Sequence, residues 1–199
     1  MFTGIVQGQG HVRAVEPRGG DVRLVFDTGP VSLEGVELGG SIAVSGVCLT
    51  ATQFDRASFA ADVSRETLSL TTLGEWQPGT PVNLEKALLA GQALGGHYVT
   101  GHVDGVGRVV AREDDARSVR MEFEVPAALA RYVARKGSIC IDGVSLTVNG
   151  VSGPRFDVNL VPHTLTVTTL GRLQPGSRVN LEVDIIARYV ERMMGAGPA

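Results

Sequence analysis

Hydrophobic and polar residues alternate in short segments along most of this chain, and glycine or proline separates one segment from the next. Many short strands with Gly and Pro turns are typical of a sandwich or barrel, and closing the sheet removes its exposed edges. We therefore predict an all-β fold of two tandem homologous six-stranded antiparallel barrels. The strands predicted in the first half cover residues 5–15, 22–26, 41–44, 49–54, 58–63 and 81–86.

The second half of the chain repeats the first at a constant offset of about 97 residues. The match runs from Thr3 against Thr100 to Glu85 against Glu182, and about 33 of 83 aligned pairs are identical. Residues 90–96 are rich in Gly and Ala, which indicates a linker. We predict an N-terminal barrel over 1–96 and a C-terminal barrel over 97–184.

Helical patterns are few. We predict short helices over 126–136 and 164–170, each ended by a glycine. The last segment, 185–199, begins with an amphipathic helix. This helix packs either across the two barrels or against the same helix of other subunits, and the sequence leaves both open. Its apolar stripe consists of Ile185, Ile186, Tyr189, Val190 and Met193.

Charge and cysteine content narrow the classes of partner. A net charge of -3 with scattered Lys and Arg argues against nucleic acid or an anionic membrane, and leaves a small neutral or anionic ligand. Cys48 and Cys140 form neither a disulfide framework nor a zinc site, and the four histidines have no zinc spacing. No leader or apolar run of about 20 residues is present. We expect a cytoplasmic oligomer without a bound metal.

Two stretches resemble familiar catalytic or binding motifs, but the residues around them do not fit those motifs. The stretch Gly143-Val-Ser-Leu-Thr147 lacks the second glycine of a nucleophile elbow and no helix follows it directly, which argues against a Ser hydrolase. Residues 101–107 resemble a dinucleotide loop, yet they lead into a predicted strand and not a helix. The sequence therefore gives no support to a Ser hydrolase or a nucleotide-binding enzyme.

Candidate chemistry emerges from comparing the two copies, because residues that maintain the fold should be kept and specialised ones should differ. Shared glycines are best explained as turn and close-approach positions. The ionisable members of the differing pairs concentrate in the second copy, where His102 is suited to proton transfer. Cys48 is either a packing residue or a reactive thiol. The differing pairs are Ile5/His102, Gly39/Lys136, Ser45/Asp142, Cys48/Ser145 and Glu66/His163.

With these motifs in order on a two-copy chain, the sequence resembles the riboflavin synthase family over nearly its whole length. The resemblance rests on the opening six residues and the tail around 180–191, and on three internal motifs. These are Gly46-Val-Cys-Leu-Thr50, Gly95-Gly-His-Tyr-Val-Thr-Gly-His-Val103 and Ile141-Asp-Gly-Val-Ser-Leu-Thr147. Ser45 departs from the family, whose members commonly carry Asn there, and this puts one contact of the first pocket in doubt.

The resemblance implies Greek-key barrels and a homotrimer assembled through the C-terminal helix. It also implies a reaction without a cofactor, in which one 6,7-dimethyl-8-ribityllumazine gives a four-carbon unit to another. The products are riboflavin and 5-amino-6-ribitylaminouracil. Lumazine synthase is a candidate partner. Two identical substrates need two similar pockets, which accounts for the duplication.

The resemblance also implies two substrate pockets, one for each copy. The first consists of Gly4, Ile5, Val6, Ser41, Cys48, Leu49, Thr50, Asp62, Val63, Ser64, Arg65, Glu66 and Thr67. The second consists of Gly101, His102, Val103, Lys136, Ser145, Leu146, Thr147, Leu160, Val161, Pro162, His163, Thr164 and Leu165.

For catalysis, the hypothesis is that His102 with Ser145 and Thr147 handles the proton at one pocket, while Cys48 and Thr50 line the other. Which pocket holds the donor is left open. One alternative is a non-catalytic, antenna-type lumazine or flavin binder of the same family. A flavin-binding reductase barrel is a second alternative, but it would need a dinucleotide domain after it.

Overall fold

The computed structural model describes residues 1–195, and these form two antiparallel sheets, three short helices and a few 3-10 turns. Each half of the chain builds one sheet. The first contains β1 (Gly8–Arg18), β2 (Asp21–Asp27), β3 (Ser41–Val44), β4 (Val47–Thr50), β5 (Gln53–Phe54), β6 (Ser58–Val63) and β7 (Pro81–Lys86). The second contains β8 (Gly105–Asp115), β9 (Ser118–Glu124), β10 (Ser138–Ile141), β11 (Val144–Ser152), β12 (Arg155–Leu160) and β13 (Arg178–Val183).

Both sheets follow the same circuit, and this confirms the predicted pair of six-stranded antiparallel barrels. The second sheet closes in the order β10-β11-β12-β9-β8-β13. The first runs β4-β3-β7-β1-β2-β6-β5, and its two end strands are consecutive in the chain. Only Ala51 and Thr52 separate β4 from β5, so together they correspond to the single strand β11. The first sheet is therefore a half-barrel whose sixth strand is broken.

The predicted strands agree with the observed ones to within a few residues, but one predicted helix is wrong. Residues 126–136 form turns and a single 3-10 turn at Ala130–Tyr132. The segment stays short because Leu129 and Val133 are drawn into the barrel core, and Lys136 adopts a φ of 64° while its N–H donates to Val148 O. The other prediction is closer, since α2 (Pro162–Val167) leads into a 3-10 turn at Thr169–Arg172.

Each barrel has its own hydrophobic core, and equivalent aromatic pairs occupy the two centres. Phe26 stacks on Phe59 at 5.0 Å between ring centroids, and Phe123 stacks on Phe156 at 5.5 Å. A third, smaller cluster lies between the barrels and contains Phe2, Ala43, Val99 and Cys140. We call it the junction cluster. Its burial and that of the two aromatic pairs stabilise both halves together.

Two buried asparagines join the barrels by reciprocal hydrogen bonds. The Asn83 side chain donates to Asp142 O at 2.8 Å and accepts from Thr169 N at 2.8 Å. Asn180, its equivalent, makes the corresponding pair of bonds to the first barrel at 2.9 and 2.8 Å. Both side chains are 1% exposed. Because these amides satisfy backbone groups of the opposite barrel, losing either would leave buried polar atoms unpaired.

The C-terminal helix α3 (Ile185–Gly195) contacts the second barrel through its charged side. Arg188 pairs with Asp104, and Glu191 pairs with Arg131 at 2.9 Å. The apolar stripe predicted from the sequence faces outward instead, with Tyr189 67% exposed. Within residues 1–195, no helix is both long and apolar enough to cross a membrane.

Candidate functional site

The two repeated motifs sit at equivalent hairpins, one in each barrel. A two-residue turn joins β3 to β4, and the same turn joins β10 to β11. Both turn residues have positive φ: 42° and 81° for Ser45 and Gly46, and 45° and 81° for Asp142 and Gly143. Positive φ at both centres defines a type I′ turn, which matches the twist of the flanking strands. The hairpins thereby present the differing residues, Cys48 and Ser145, at matching positions.

The segments before β1 and β8 cross over to the opposite barrel. We call residues 3–6 the first arm and residues 100–103 the second arm. Gly4 O accepts a hydrogen bond from Ser145 N, and Gly101 O accepts one from Cys48 N, both at 2.8 Å. Val6 packs against the core of the second barrel, and Val103 packs against the core of the first. Each motif is therefore covered by the arm of the other repeat.

Glycine is required where each arm crosses. Gly4 has a φ of 76° and Gly101 a φ of 78°. A Cβ on either residue would lie 2.6 Å from the Cβ of Ser145 or Cys48, respectively. The shared glycines therefore allow close backbone approach, as predicted from the sequence.

Two buried glutamates hold the arms in place. Glu85 accepts hydrogen bonds from the N–H and hydroxyl of Thr3, at 2.7 and 2.6 Å, and from Gly4 N at 3.0 Å. Glu182 makes the same three bonds to Thr100 and Gly101, at 2.7, 2.8 and 2.9 Å. Burial raises the pKa of both carboxyl groups, and these hydrogen bonds oppose the rise. Each barrel thus anchors its own arm at the point where that arm leaves for the other barrel.

This crossover changes the grouping of the residues predicted for the two pockets. The sequence hypothesis placed His102 with Ser145 and Thr147, because all three belong to the second copy. The structure instead places the second arm, which carries His102, against the barrel of Cys48 and Thr50. The first arm, with Gly4, Ile5 and Val6, lies against the barrel of Ser145.

A short antiparallel bridge joins the two segments at the point where they cross. Phe2 N donates to Val99 O at 2.7 Å, and Val99 N donates to Phe2 O at 3.2 Å. Each arm therefore continues beyond its partner and onto the other sheet. The side chain of His102 is exposed, and its charge lowers the pKa of Glu182, opposing the effect of burial.

His97 contacts the predicted site residue Ser145, and comparison of the copies does not select it. Its Nδ1 lies 2.6 Å from Ser145 Oγ, and its side chain is buried, with 8% of the residue exposed. Burial lowers the pKa of His97, and the nearby Asp184 carboxylate opposes this. His97 lies ahead of Thr100, where the aligned repeat begins, so it has no counterpart to differ from. The usable signal was its place after two glycines in the 95–103 motif.

The predicted loops occupy equivalent places at the ends of β6 and β12. Residues 62–67 lead into α1 (Arg65–Leu70), where Ser64 accepts a hydrogen bond from Thr67 N and caps the helix. Residues 160–165 lead into α2, which begins with Pro162. Val63 and Leu160 are buried in the cores, and the other loop residues are exposed or half-buried. These exposed backbone segments are suited to pairing with an amide-like heterocycle.

We call each hairpin, with the arm that crosses it and its neighbouring helix-leading loop, a corner: the first contains Cys48 and the second contains Ser145. Ser41 and Lys136 are the other predicted residues. Ser41 pairs with Thr50 across the β3–β4 ladder and lines a cavity of about 400 Å³ together with Gln7 and Lys86. Lys136 is exposed and donates to Asn149 Oδ1 at 3.2 Å. The structure thus brings Ser41 close to the first motif, and it places Lys136 beside β11.

Asp142 lies at the interface of the barrels and has no counterpart charge in the first copy. Its Oδ1 accepts from Asn180 N at 2.8 Å, while Ser45 Oγ accepts from Asn83 N at 3.2 Å in the equivalent place. Burial raises the pKa of Asp142 to about 7. The sequence predicts either an acid or a turn residue here, and the geometry supports the turn. Because of its raised pKa, the carboxyl group of this turn residue gains a proton near neutral pH.

Comparison with known proteins adds sequence and structural relatives to this geometry. The lumazine binding domain family matches twice, over residues 3–87 and 100–184. Riboflavin synthase from Mycobacterium tuberculosis is 48% identical over 198 residues, covering 98% of each chain. Riboflavin synthase from Photobacterium phosphoreum is 42% identical over 194 residues, covering 98% of this chain and 89% of that one.

Solved structures of LumP show the same fold. LumP complexed with 6,7-dimethyl-8-(1'-D-ribityl) lumazine superposes with a TM-score of 0.83 and 28% identity, covering 92% of this chain and 99% of that chain. LumP complexed with riboflavin superposes with a TM-score of 0.83 and 30% identity, with the same coverage.

Proposed function

We propose that this chain, which belongs to the riboflavin synthase family of lumazine-binding proteins, joins two molecules of 6,7-dimethyl-8-ribityllumazine. One molecule gives a four-carbon unit to the other, and the products are riboflavin and 5-amino-6-ribitylaminouracil. The similarity to riboflavin synthases extends over nearly the whole of both chains, which supports this assignment. The two matches to the lumazine binding domain support two binding sites.

The observation that carries the proposal is the pair of equivalent corners at Cys48 and Ser145. Each is built from a hairpin, a crossing arm and a helix-leading loop. A reaction between two copies of one substrate needs two similar pockets, and the chemistry then depends mainly on their placement. Holding two reactants in register contributes up to about 7–11 kcal/mol toward the barrier.

The crossover exchanges the arms between the two proposed pockets, while the combined set of residues stays the same. The first pocket combines Cys48, Leu49, Thr50, Ser41 and residues 62–67 with the second arm, including His102. The second pocket combines Lys136, Ser145, Leu146, Thr147 and residues 160–165 with the first arm. In this arrangement His102 is a proton-transfer candidate at the first pocket. The methyl group at C7 of the lumazine is acidic, so a base beside the donor molecule, in whichever pocket holds it, generates the carbon nucleophile.

We also propose that copies of this chain assemble as a homotrimer through α3. The charged side of this helix is already used by Asp104 and Arg131, so its apolar stripe is left for other subunits. Its exposed members include Ile186, Tyr189 and Met193, at 58%, 67% and 76%. Light scattering that gave the mass of one chain at assay concentration would rule out the trimer. Association with lumazine synthase and a cytoplasmic location stay predictions of the sequence.

The competing function is a protein that holds a lumazine or flavin without converting it. The structures of LumP with a lumazine and with riboflavin keep this alternative open, because they share the fold. Against it, the polar side chains of the second corner are all in place here, with Ser145 bonded to His97 and Thr147 beside it. A hydroxyl within hydrogen-bond reach of an imidazole is an arrangement suited to proton transfer, which favours the enzyme.

One assay separates the two functions. The purified protein is mixed with the ribityllumazine alone, and riboflavin absorbance is followed over time. We expect one riboflavin for every two substrate molecules consumed. Tight binding without turnover would make the protein a binder. In the same assay, His102→Gln should lower turnover by about 100-fold if the imidazole transfers a proton, while His11→Gln, at an exposed position on β1, serves as the matched control.

A further inference from the structure

His97 reaches Ser145 from outside both repeats and is held firmly in place. Its N–H donates to Thr3 O at 3.1 Å, which ties it to the first arm. The preceding Gly96 packs directly on Ser145, where an added Cβ would lie 2.9 Å from Ser145 Cβ. Ser145 is itself fixed by the bond from its N–H to Gly4 O. The 2.6 Å contact between His97 Nδ1 and Ser145 Oγ therefore joins two immobilised groups.

The surroundings of the ring favour its neutral form. Burial lowers the pKa of His97, and Nε2 is buried without a hydrogen-bond partner among residues 1–195. The first arm contacts His97 through the carbonyl of Thr3, and β11 contacts its ring through the hydroxyl of Ser145, and neither group carries a charge. Asp184, at the end of β13, is the charged group that acts on it and favours protonation. A neutral imidazole in this setting is able to accept one proton.

A purely structural role explains the ring poorly. Leaving a buried polar atom unpaired is costly, and each such atom in a native protein calls for an explanation such as a catalytic role. His97 carries this cost at Nε2 while its Nδ1 holds the hydroxyl of a residue in the proposed second pocket. The residue is thus placed to change the chemistry of Ser145.

We propose that His97 is the positioning residue that accepts a proton from Ser145, so that the two side chains form one relay at the second pocket. This inference rests on the proposed function. In the step, the C7 methyl group of a bound lumazine loses a proton to Ser145 Oγ as the hydroxyl proton moves to Nδ1. One C–H and one O–H bond break, and one O–H and one N–H bond form. The electron pair delocalises into the lumazine ring, and Asp184 stabilises the imidazolium.

The central test compares His97→Asn with the wild-type protein. The Asn amide occupies the position of Nδ1 and keeps a hydrogen bond to Ser145, but it does not accept a proton. We expect turnover to fall by about 100-fold. In the wild type, kcat should decrease at acid pH as His97 becomes protonated below its usual pKa, and His97→Asn should lack this acid limb. His11→Asn is the matched control, and urea unfolding verifies that each variant is folded.

A double-mutant cycle tests whether the two residues act as one unit. If they do, His97→Asn combined with Ser145→Ala should be no slower than the slower single variant, within a factor of about three. If the fold-losses in turnover of the two single variants multiply in the double variant, the relay is wrong. An unchanged rate and pH profile in His97→Asn would overturn it as well.

Deuterium exchange separates failure of the relay from failure of the proposed function. Proton NMR in D₂O follows exchange of the C7 methyl protons, which requires proton removal but no second substrate. Riboflavin formation with exchange and turnover independent of His97 would leave the function standing and remove the relay. Exchange that depends on His97, without formation of riboflavin, would support the relay and contradict the proposed function. If the wild type neither forms riboflavin nor accelerates exchange, both proposals are wrong.

Discussion

The corner at Cys48 and the corner at Ser145 share one backbone and differ in their side-chain chemistry. In both, a type I′ hairpin presents the residue, the arm of the other repeat accepts its N–H, and a buried glutamate anchors that arm. At the second corner the hydroxyl also meets His97. At the first corner the thiol packs against the junction cluster. Repetition therefore explains the shared backbone, whereas His97, which lies just ahead of the second repeat, explains the difference.

The difference also indicates how unequal roles arise in a symmetric frame. The second corner has a hydroxyl whose orientation is fixed by an imidazole, so it is suited to moving a proton. The first corner has a half-buried thiol and an exposed imidazole, His102, contributed by the crossing arm. Two such pockets are able to treat identical molecules differently, one as donor and one as acceptor.

The largest expected effect comes from breaking the second corner alone with Gly96→Ala. The added Cβ would overlap Thr3 O and lie 2.9 Å from Ser145 Cβ, so the first arm must move. Overpacking of this kind should lower the free energy of unfolding by about 3 kcal/mol. Urea unfolding measures it. The matched control is Gly105→Ala, whose Cβ would lie 3.4 Å from Leu129 and should change stability by less than about 1 kcal/mol. Equal stability of the two variants would contradict the close packing at this corner.

A smaller effect is expected where Asp142 faces Ser45 across the barrel interface. Because burial raises the pKa of Asp142 to about 7, the folded chain holds its proton where the unfolded chain has lost it. Wild-type stability should therefore fall as pH rises from about 4 to 7. Asn keeps the bond to Asn180 and tolerates positive φ. At pH 8 the free energy of unfolding of Asp142→Asn should therefore exceed that of the wild type by about 2 kcal/mol, and at pH 4 the two should be equal.

Urea unfolding at the two pH values measures this difference. Ser45→Asn is the matched control, since it places the same side chain at the equivalent turn and alters no titrating group. An advantage of Asp142→Asn that is the same at pH 4 and pH 8 would show that the carboxyl group does not titrate in this range.

Much of the fold could be predicted because its strands carry local signals. Residues 41–44, 58–63 and 81–86 were bounded correctly, since their apolar residues end at glycine, proline or polar turns. The helix predicted over 126–136 failed for a tertiary reason. Its apolar residues fill the mouth of the barrel, and that needs only one turn of helix. Propensity alone does not contain this information.

For the candidate site, the sequence indicated individual residues but not which arm lies against which barrel. Comparison of the repeats and the family resemblance selected Cys48, Ser145 and the arms as candidates, but the resemblance grouped each arm with its own copy. The arms cross beside the long-range bridge between Phe2 and Val99, and such a bridge leaves no periodic pattern in the sequence. His97 was missed for a related reason, because comparing copies is informative only where both copies have a residue.

The smallest expected effect exchanges the two differing residues in reciprocal variants, Ser145→Cys and Cys48→Ser. In Ser145→Cys the weaker thiol replaces a hydroxyl bonded to a buried imidazole, so the free energy of unfolding should fall by about 1 kcal/mol. Cys48→Ser alters a half-buried packing position that has no imidazole, and should cost less than about 0.5 kcal/mol. Urea unfolding of both proteins at neutral pH measures the pair. Because the backbone bonds to Gly4 and Gly101 are alike, equal losses would mean that His97 adds nothing to the second corner. A larger loss in Ser145→Cys would assign the inequality of the two corners to the contact between His97 and Ser145.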